Sequence, residues 1–261
     1  MSGVSRGIKG DSARNQSPRE DCAPGLGARI VIVAKAPGPD AKTRLAGALT
    51  PPQRALLVEA MLEDTVDAAR DASARLGAQG IRGELCLAVG DCSAPFFTVL
   101  ARRRRIHLIE QGEGNLGRKL IRVFSTSIRE RPAWRHLVIG SDGPSLPTDF
   151  LTQAFHALDD HDLVLGPAMD GGYYLIGASV LFPELFTDIP WSTSRVFAST
   201  LERAAALGLK TARLPLWFDV DHPADLDRIR DGLGPPAVRA EPGSARRTRD
   251  LLVRFAIIAQ H

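Results

Sequence analysis

Short apolar segments alternate with longer amphipathic segments along most of the chain. The first apolar segment, residues 28–34, carries β-branched side chains at consecutive positions, which is typical of a strand buried on both faces of a parallel sheet. The first amphipathic segment, residues 50–69, places apolar side chains at helical spacing, and Thr50 followed by two prolines is a typical helix start. The pattern therefore begins with a strand, a loop and a helix.

The same alternation continues to residue 230. We predict further strands at 84–89, 106–109, 136–140, 162–165, 173–176 and 210–214, and further helices at 116–128, 147–158, 193–207 and 223–230. Gly208 follows one of these helices and suits the position just beyond a helix C-terminus. Strands that alternate with helices predict a single α/β domain of three layers, in which a mostly parallel sheet lies between two layers of helices.

The two ends of the chain differ in composition from this domain. Residues 1–27 are polar and rich in Gly, Ser and Arg, which predicts a disordered leader. The folded domain is expected at 28–231, and residues 232–261 are expected to form a linker and a tail helix. This helix has a basic start and an apolar second half, so it can pack on the domain, join a homodimer or lie on a membrane surface. Packing is the favoured interpretation.

Charge and cysteine content narrow the class of protein. The net charge of +3 and the isoelectric point of about 9.0 suit a phosphorylated substrate, and no aromatic residues are interleaved with the basic ones as in single-strand nucleic-acid binders. The three cysteines form no Cys-x-x-Cys pair, which favours a reducing compartment. No apolar segment is long enough to span a bilayer. We therefore expect a cytoplasmic protein with neither a membrane span nor a nucleic-acid partner.

The loop after the first strand combines cations with small, rigid residues. Lys35, Lys42 and Arg44 are its cations, and Pro37 and Gly38 lie between the two lysines. Open parallel sheets bind ligands beyond the carboxyl ends of their strands, and lysine and arginine side chains both bind phosphate. The loop matches neither the dinucleotide fingerprint nor the P-loop pattern. We predict that it binds the phosphates of a nucleotide, and the alternative is a solvated basic turn.

Three later segments place carboxylates where strands begin or end. Asp142 follows the strand 136–140, Asp170 precedes two glycines and the strand 173–176, and Asp219 and Asp221 alternate in a third segment. Each segment also fits an ordinary turn, and Asp170 with its two glycines fits a β-hairpin. Together with the cationic loop, the acids predict a phosphate site that uses a divalent metal with oxygen ligands, Mg²⁺ or Mn²⁺.

Several of these motifs resemble one known group of proteins. Lys-Thr-Arg-Leu (42–45), Ser-Asp-Gly-Pro-Ser-Leu-Pro (141–147), Asp-Gly-Gly-Tyr-Tyr-Leu-Ile-Gly (170–177), Ile-Pro-Trp-Ser-Thr (189–193) and Asp-Val-Asp-x-Pro-x-Asp-Leu (219–226) occur in the order of a bacterial glycosyltransferase-A-like family. That family is often linked to arsenosugar or radical-enzyme gene clusters. The start of the chain is also similar to 2-phospholactate guanylyltransferases. Both groups resemble the wider nucleotide-diphospho-sugar transferase superfamily.

The resemblance implies roles for particular residues. Asp142 and Asp221 would hold the metal, and with Asp170 they would form the catalytic set. The loop from Lys35 to Arg44 would surround the nucleotide phosphates, and Asn115 would lie near the base or ribose. Asn115 replaces the usual aspartate and also suits a helix N-cap. Asp40 and His222 likewise stand where the family usually has glycine and threonine.

The resemblance also implies a pocket for the sugar or the acceptor. Gly171, Gly172 and Tyr173 would line it, and Trp191 and Ser192 would cover it. For Trp191, packing in the core is a nearly equal interpretation. The implied ligands are a nucleotide or nucleotide sugar and a small-molecule acceptor.

Three hypotheses of function remain open. The leading one is glycosyl transfer from a nucleotide sugar, which the second half of the chain supports. The alternative is nucleotidyl transfer from a nucleoside triphosphate to a small phosphorylated acceptor, with release of pyrophosphate, which the first half supports. The third is a nucleotide sensor without catalysis. No Ser-His-Asp or Cys-His arrangement is indicated, so we expect no covalent enzyme intermediate.

Overall fold

The structure is a computed structural model that describes residues 27–235, 241 and 243–258. Its strands are β1 (Gly27–Val33), β2 (Arg82–Val89), β3 (His107–Glu110), β4 (Arg135–Gly140), β5 (Leu163–Pro167), β6 (Tyr173–Ala178) and β7 (Thr211–Arg213). Its α-helices are α1 (Pro51–Gly77), α2 (Pro95–Arg104), α3 (Leu116–Glu130), α4 (Thr148–Ala157), α5 (Val196–Ala206), α6 (Pro223–Asp231) and α7 (Arg246–Ile258). Two short 3-10 helices lie at Thr43–Leu45 and Pro183–Phe186.

The seven strands form one sheet in the order β3-β2-β1-β4-β6-β5-β7. Every neighbouring pair is parallel except those of β6, which runs antiparallel to both β4 and β5. Buried apolar side chains form one cluster on each face of the sheet, beneath the helices. The predicted three-layer domain with a mostly parallel sheet is therefore confirmed, and the antiparallel β5–β6 pair supports the hairpin interpretation of the turn at Asp170.

Local signals in the sequence explain several element boundaries. Thr50 is the N-cap of α1, and Gln53 accepts a hydrogen bond from the Thr50 amide at 2.8 Å. Gly208 follows α5 in the left-handed region at φ 70°, as predicted for a residue just beyond a helix end. In the first turn of α6, the Asp225 carboxylate accepts from the amides of Asp221 and His222 at 3.1 and 2.7 Å. These two bonds help to fix the backbone immediately before α6.

Three helices differ from the sequence prediction. Helix α1 extends to Gly77 rather than residue 69, because Ala72 and Leu76 continue its buried face. Helix α2 was not predicted, and it buries Phe97 and Leu100 ahead of a run of arginines. Helix α5 begins at Val196 rather than 193, because the preceding residues turn around the loop at Gly171.

The predicted tail helix is present as α7 and packs on the domain. Its first turn rests on Asp64 of α1, whose carboxylate accepts from the amide and the hydroxyl of Thr248, both at 2.8 Å. The homodimer contact stays a prediction. Residues 1–26 of the predicted leader lie outside the described residues. Within the described part of the chain, no helix combines the length and the apolar composition that a bilayer crossing needs.

Candidate active site

An open cleft lies at the edge of the sheet where β1, β3 and β4 end. Val33, Gln111 and Gly140 line it from these strand ends. Because β6 is antiparallel, its first residue, Tyr173, reaches the same edge. The cleft is therefore at the position where open α/β sheets bind their ligands.

The cationic loop forms one wall of the cleft. Lys35, Lys42 and Arg44 all line it, whereas Pro37 and Gly38 do not. The loop is fixed from behind by Arg54 of α1, whose side chain is buried and donates to three backbone carbonyls. These are the oxygens of Ala41, Leu49 and Pro39, at 2.9, 3.0 and 2.7 Å. A single buried guanidinium thus holds the loop on the domain.

Two of the predicted acids meet one of the predicted cations in this cleft. Nζ of Lys42 lies 2.8 Å from Oδ1 of Asp142 and 2.8 Å from Oδ1 of Asp221. Arg44 adds a contact of 3.2 Å to Oδ2 of Asp221. Residues that are 100 and 179 positions from Lys42 in the sequence therefore converge on its ammonium group.

Backbone contacts hold the two acids together. Asp142 is the second residue after the end of β4. Its backbone carbonyl accepts a hydrogen bond from the Val220 amide at 2.8 Å. This bond joins the segment before α6 to the end of β4, so Asp221 is carried to the Asp142 side chain. Asp225 fixes the amide of Asp221 from the other side. These two bonds fix the backbone from which both carboxylates extend.

The ion pairs govern the charge state of this cluster. Burial lowers the pKa of Lys42, but the charges of Asp142 and Asp221 outweigh it, and the net shift is upward. Burial likewise raises the pKa of Asp221, but Lys42 and Arg44 outweigh it, and the net shift is downward. Lys42 and Asp221 are therefore both charged near neutral pH.

Asp219 adds a further carboxylate, one of the acids noted in the sequence but given no individual role there. It lines the same cleft as Asp221, as the alternation of the two acids indicated. Burial and the charges of Asp142 and Asp170 raise its pKa to about 7. The carboxylates that line the cleft thus repel one another, and the charge of Lys42 partly offsets this repulsion.

The opposite wall is aromatic and rich in hydroxyls. Tyr173, Trp191, Ser192, Thr193 and Ser194 line it, together with Asp170 and Gly172. Trp191 packs against the first turn of α3, where a Cβ at Gly117 would lie 2.8 Å from its ring. This wall is therefore closed by contact between the 190–194 segment and α3.

The turn that carries Asp170 depends on glycine. Gly171 has φ 89°, and a Cβ there would lie 2.1 Å from the carbonyl oxygen of Ser194, so no larger residue fits. Gly171 itself does not line the cleft, and its carbonyl accepts from the Phe197 amide at 2.8 Å. Its place is behind the wall, where it joins the Asp170 turn to α5.

The remaining predicted residue, Asn115, lines the cleft and also caps α3. Its Oδ1 accepts from the Arg118 amide at 3.0 Å, as expected for an N-cap. Gln111 and Lys119 line the cleft nearby and were not predicted. The amide of Gln111 is buried and donates to the carbonyls of Ala34 and Ala88, so it ties the ends of β1 and β2 together. No local motif in the sequence signals that contact.

The arrangement of the acids determines whether they could bind a metal ion. No group of three His, Cys, Asp or Glu side chains suited to a metal ion occurs in the described ranges 27–235, 241 and 243–258. Two carboxylates, Asp142 and Asp221, do face one point, which is the Nζ position of Lys42. Mg²⁺ in proteins is usually bound by one or two carboxylates of the protein together with phosphates of the substrate. The pair fits a metal bound jointly with a nucleotide.

Comparison with known proteins agrees with this fold. The pattern of a family described as an uncharacterized protein conserved in bacteria (DUF2064) matches residues 64–193. No curated protein matches the sequence. Among solved structures, the chain is similar to a Desulfovibrio desulfuricans G20 protein provisionally named a nucleotide-diphospho-sugar transferase. The identity is 25%, the TM-score is 0.72, and the match covers 89% of this chain and 97% of that one.

A nucleotidyl transferase from Methanothermobacter is similar in fold, at 15% identity and a TM-score of 0.51, over 78% of this chain and 96% of that one. The predicted resemblance to the nucleotide-diphospho-sugar transferase superfamily is thereby confirmed, and with it the fold class.

Proposed function

We propose that this protein is a divalent-metal-dependent glycosyltransferase that uses a nucleotide-sugar donor and a small-molecule acceptor, and that it acts in the cytoplasm. The observation that carries the proposal is the convergence of Lys42, Arg44, Asp142 and Asp221 at one end of the cleft. The cations would bind the diphosphate of the donor, and the two acids would hold Mg²⁺ or Mn²⁺. A bound ion supplies charge neutralisation at the leaving diphosphate.

The opposite wall favours a sugar over a phosphorylated acceptor. Among the residues at 170–196 that line the cleft, none is a cation, and Asp170 is an acid; the cleft-lining cation closest in sequence to the residue that Trp191 contacts is the single Lys119 of α3. A phosphorylated acceptor would need cations here. Sugar hydroxyls instead suit Asp170 and the hydroxyls of 192–194, with Tyr173 and Trp191 offering apolar surface. This contrast supports glycosyl transfer over nucleotidyl transfer to a phosphorylated acceptor.

The similar D. desulfuricans protein supports the same proposal, because its provisional name describes a nucleotide-diphospho-sugar transferase. The nucleotidyl-transfer alternative has support from the Methanothermobacter protein only at the level of the fold. In both reactions, positioning and electrostatics would do the catalytic work, with the acceptor held in line with the bond that breaks.

The test is release of nucleoside diphosphate from a panel of nucleotide sugars, with and without Mg²⁺ or Mn²⁺. Water can stand in for an unknown acceptor, so slow donor hydrolysis is a sufficient readout. We expect metal-dependent release by one donor class, and a loss of about 100-fold or more in Asp142→Asn and Asp221→Asn, because several kcal/mol of charge stabilisation depend on the ion. Asp227→Asn, an exposed acid on α6, is the matched control.

Three results would contradict the proposal. Pyrophosphate release from a nucleoside triphosphate and a phosphorylated acid, without donor cleavage, would identify a nucleotidyltransferase. Nucleotide binding without turnover of any donor would identify a sensor. Wild-type rates in both Asp142→Asn and Asp221→Asn would remove the metal from the mechanism.

A further inference from the structure

Lys42 occupies the point that the two proposed metal ligands share. Its ammonium group contacts Asp142 and Asp221 at equal distances of 2.8 Å. Its side chain is only 8% exposed, whereas Lys35 on the same loop is exposed. The lysine therefore offsets half of the charge of this pair of carboxylates from within the protein.

The backbone shows that this placement is imposed by the fold. Lys42 has φ 50° and ψ 47°, in the left-handed region. That conformation is unfavourable for a residue with a Cβ. The 3-10 turn that begins at Thr43 and the contacts of Arg54 hold the loop in this shape. Strain of this kind at a functional loop indicates that the position of the side chain matters.

The charges at this point are balanced without a metal. Asp142 and Asp221 are opposed by Lys42 and Arg44, so the four groups carry no net charge. A free divalent ion would have to displace Lys42 from both carboxylates, which would leave two cations close together in the cleft. A divalent ion that arrives with a diphosphate brings little net charge, and the phosphate oxygens offer Lys42 new acceptors.

We infer that Lys42 exchanges partners on ligand binding, so that the cleft rejects a free divalent ion and accepts it together with a diphosphate. In the empty cleft, Lys42 holds Asp142 and Asp221. With the ligand bound, Lys42 moves to the phosphates and the two acids turn to the metal. The inference rests on the proposed function, because it requires that these acids are metal ligands.

The experiment measures binding of Mn²⁺ alone, by electron paramagnetic resonance, without nucleotide. We expect weak binding by the wild-type protein and binding at least about tenfold tighter in Lys42→Met, because a nearby like charge shifts an ionic equilibrium by one or more decades. Lys210→Met, which removes an exposed lysine outside the cleft, should leave Mn²⁺ affinity within about twofold of the wild type. Added inorganic pyrophosphate should raise retention of Mn²⁺ by the wild type.

Mn²⁺ affinity in Lys42→Met that equals or falls below that of the wild type would overturn the exchange. The metal site itself would fail if Asp142→Asn retains Mn²⁺ as well as the wild type does with pyrophosphate present, and the proposed function would then fail with it. Lys42→Gln is the second variant, should Lys42→Met fold poorly. Mn²⁺ is expected to raise the melting temperature of Lys42→Gln more than that of the wild type, and an equal or smaller rise would count against the inference.

Discussion

Replacing Arg54 with methionine tests whether one buried guanidinium holds the cationic loop on the domain. The substitution keeps an unbranched apolar stem at a site where the arginine side chain is buried. It removes all three hydrogen bonds to the carbonyls of Ala41, Leu49 and Pro39. The loop that carries Lys42 would then be fixed mainly by its own turns.

The loss of stability depends on how far each of the three carbonyl oxygens is buried once its hydrogen bond to Arg54 is removed. The bond to Leu49 is buried, and a buried acceptor without a partner costs about 1–3 kcal/mol. The bonds to Ala41 and Pro39 are partly buried, so these oxygens recover some hydration. We expect Arg54→Met to lower the free energy of unfolding by about 2–4 kcal/mol. For a domain of this size, that corresponds to a melting temperature lower by roughly 4–16 °C.

The same variant should weaken phosphate binding, because part of the ligand's binding energy would go into ordering the loop. We expect affinity for inorganic pyrophosphate with Mg²⁺ to fall by about tenfold. Urea unfolding and titration calorimetry measure the two effects. Arg70→Met is the matched control, since Arg70 is an exposed arginine of α1 with one bond to the carbonyl of Arg104. Unfolding and affinity in Arg54→Met that match this control would refute the anchoring role.

Two further predictions concern pH. Burial lowers the pKa of His136 to about 4 from an ordinary value of 6.5, so its contribution is complete above pH 6.5 and is lost as the pH falls toward 4. Between pH 6.5 and pH 4, the unfolding free energy of His136→Gln should therefore fall by about 3 kcal/mol less than that of the wild type, as measured by urea titrations. An equal fall in both proteins would contradict the lowered pKa of His136. Burial and nearby carboxylates raise the pKa of Asp219 from 3.8 to about 7, so its charge destabilises the empty protein as the pH rises through 7. Asp219→Asn should thus be more stable than the wild type by roughly 2–4 kcal/mol at pH 8 but not at pH 4, and equal stability at pH 8 would count against it.

The sequence was sufficient for the fold because each buried strand had a pattern of its own. Residues 28–34 are apolar on both faces, and the observed β1 has parallel partners on both sides. The direction of β6 was less accessible. Asp170 and its two glycines fit a hairpin and a ligand loop equally well, and only pairing with β4 and β5 decides between strand directions.

The convergence of acids could be expected from the sequence only in part: Asp142 lies just beyond the end of β4, whereas Asp221 lies in the irregular segment before α6, which the bond from the Val220 amide to the Asp142 carbonyl joins to β4. The contacts that place them depend on side-chain and backbone details without a sequence signature. Arg54 looks like any charged residue of an amphipathic helix, yet it is buried beneath the loop. Gln111 looks like a loop residue, yet its amide joins two strand ends.

Lys42 shows most clearly why position in a loop does not determine role. As a cation after a strand, it was predicted to meet phosphate, and nothing in the spacing of the loop indicates a left-handed residue there. That backbone conformation turns the side chain toward Asp142 and Asp221, so in the empty cleft it meets the acids. Both partners are anionic, and an ammonium group can bind either carboxylate or phosphate. Under the proposed exchange, the predicted role and the observed contact would be two states of one residue, and ligand binding would decide between them.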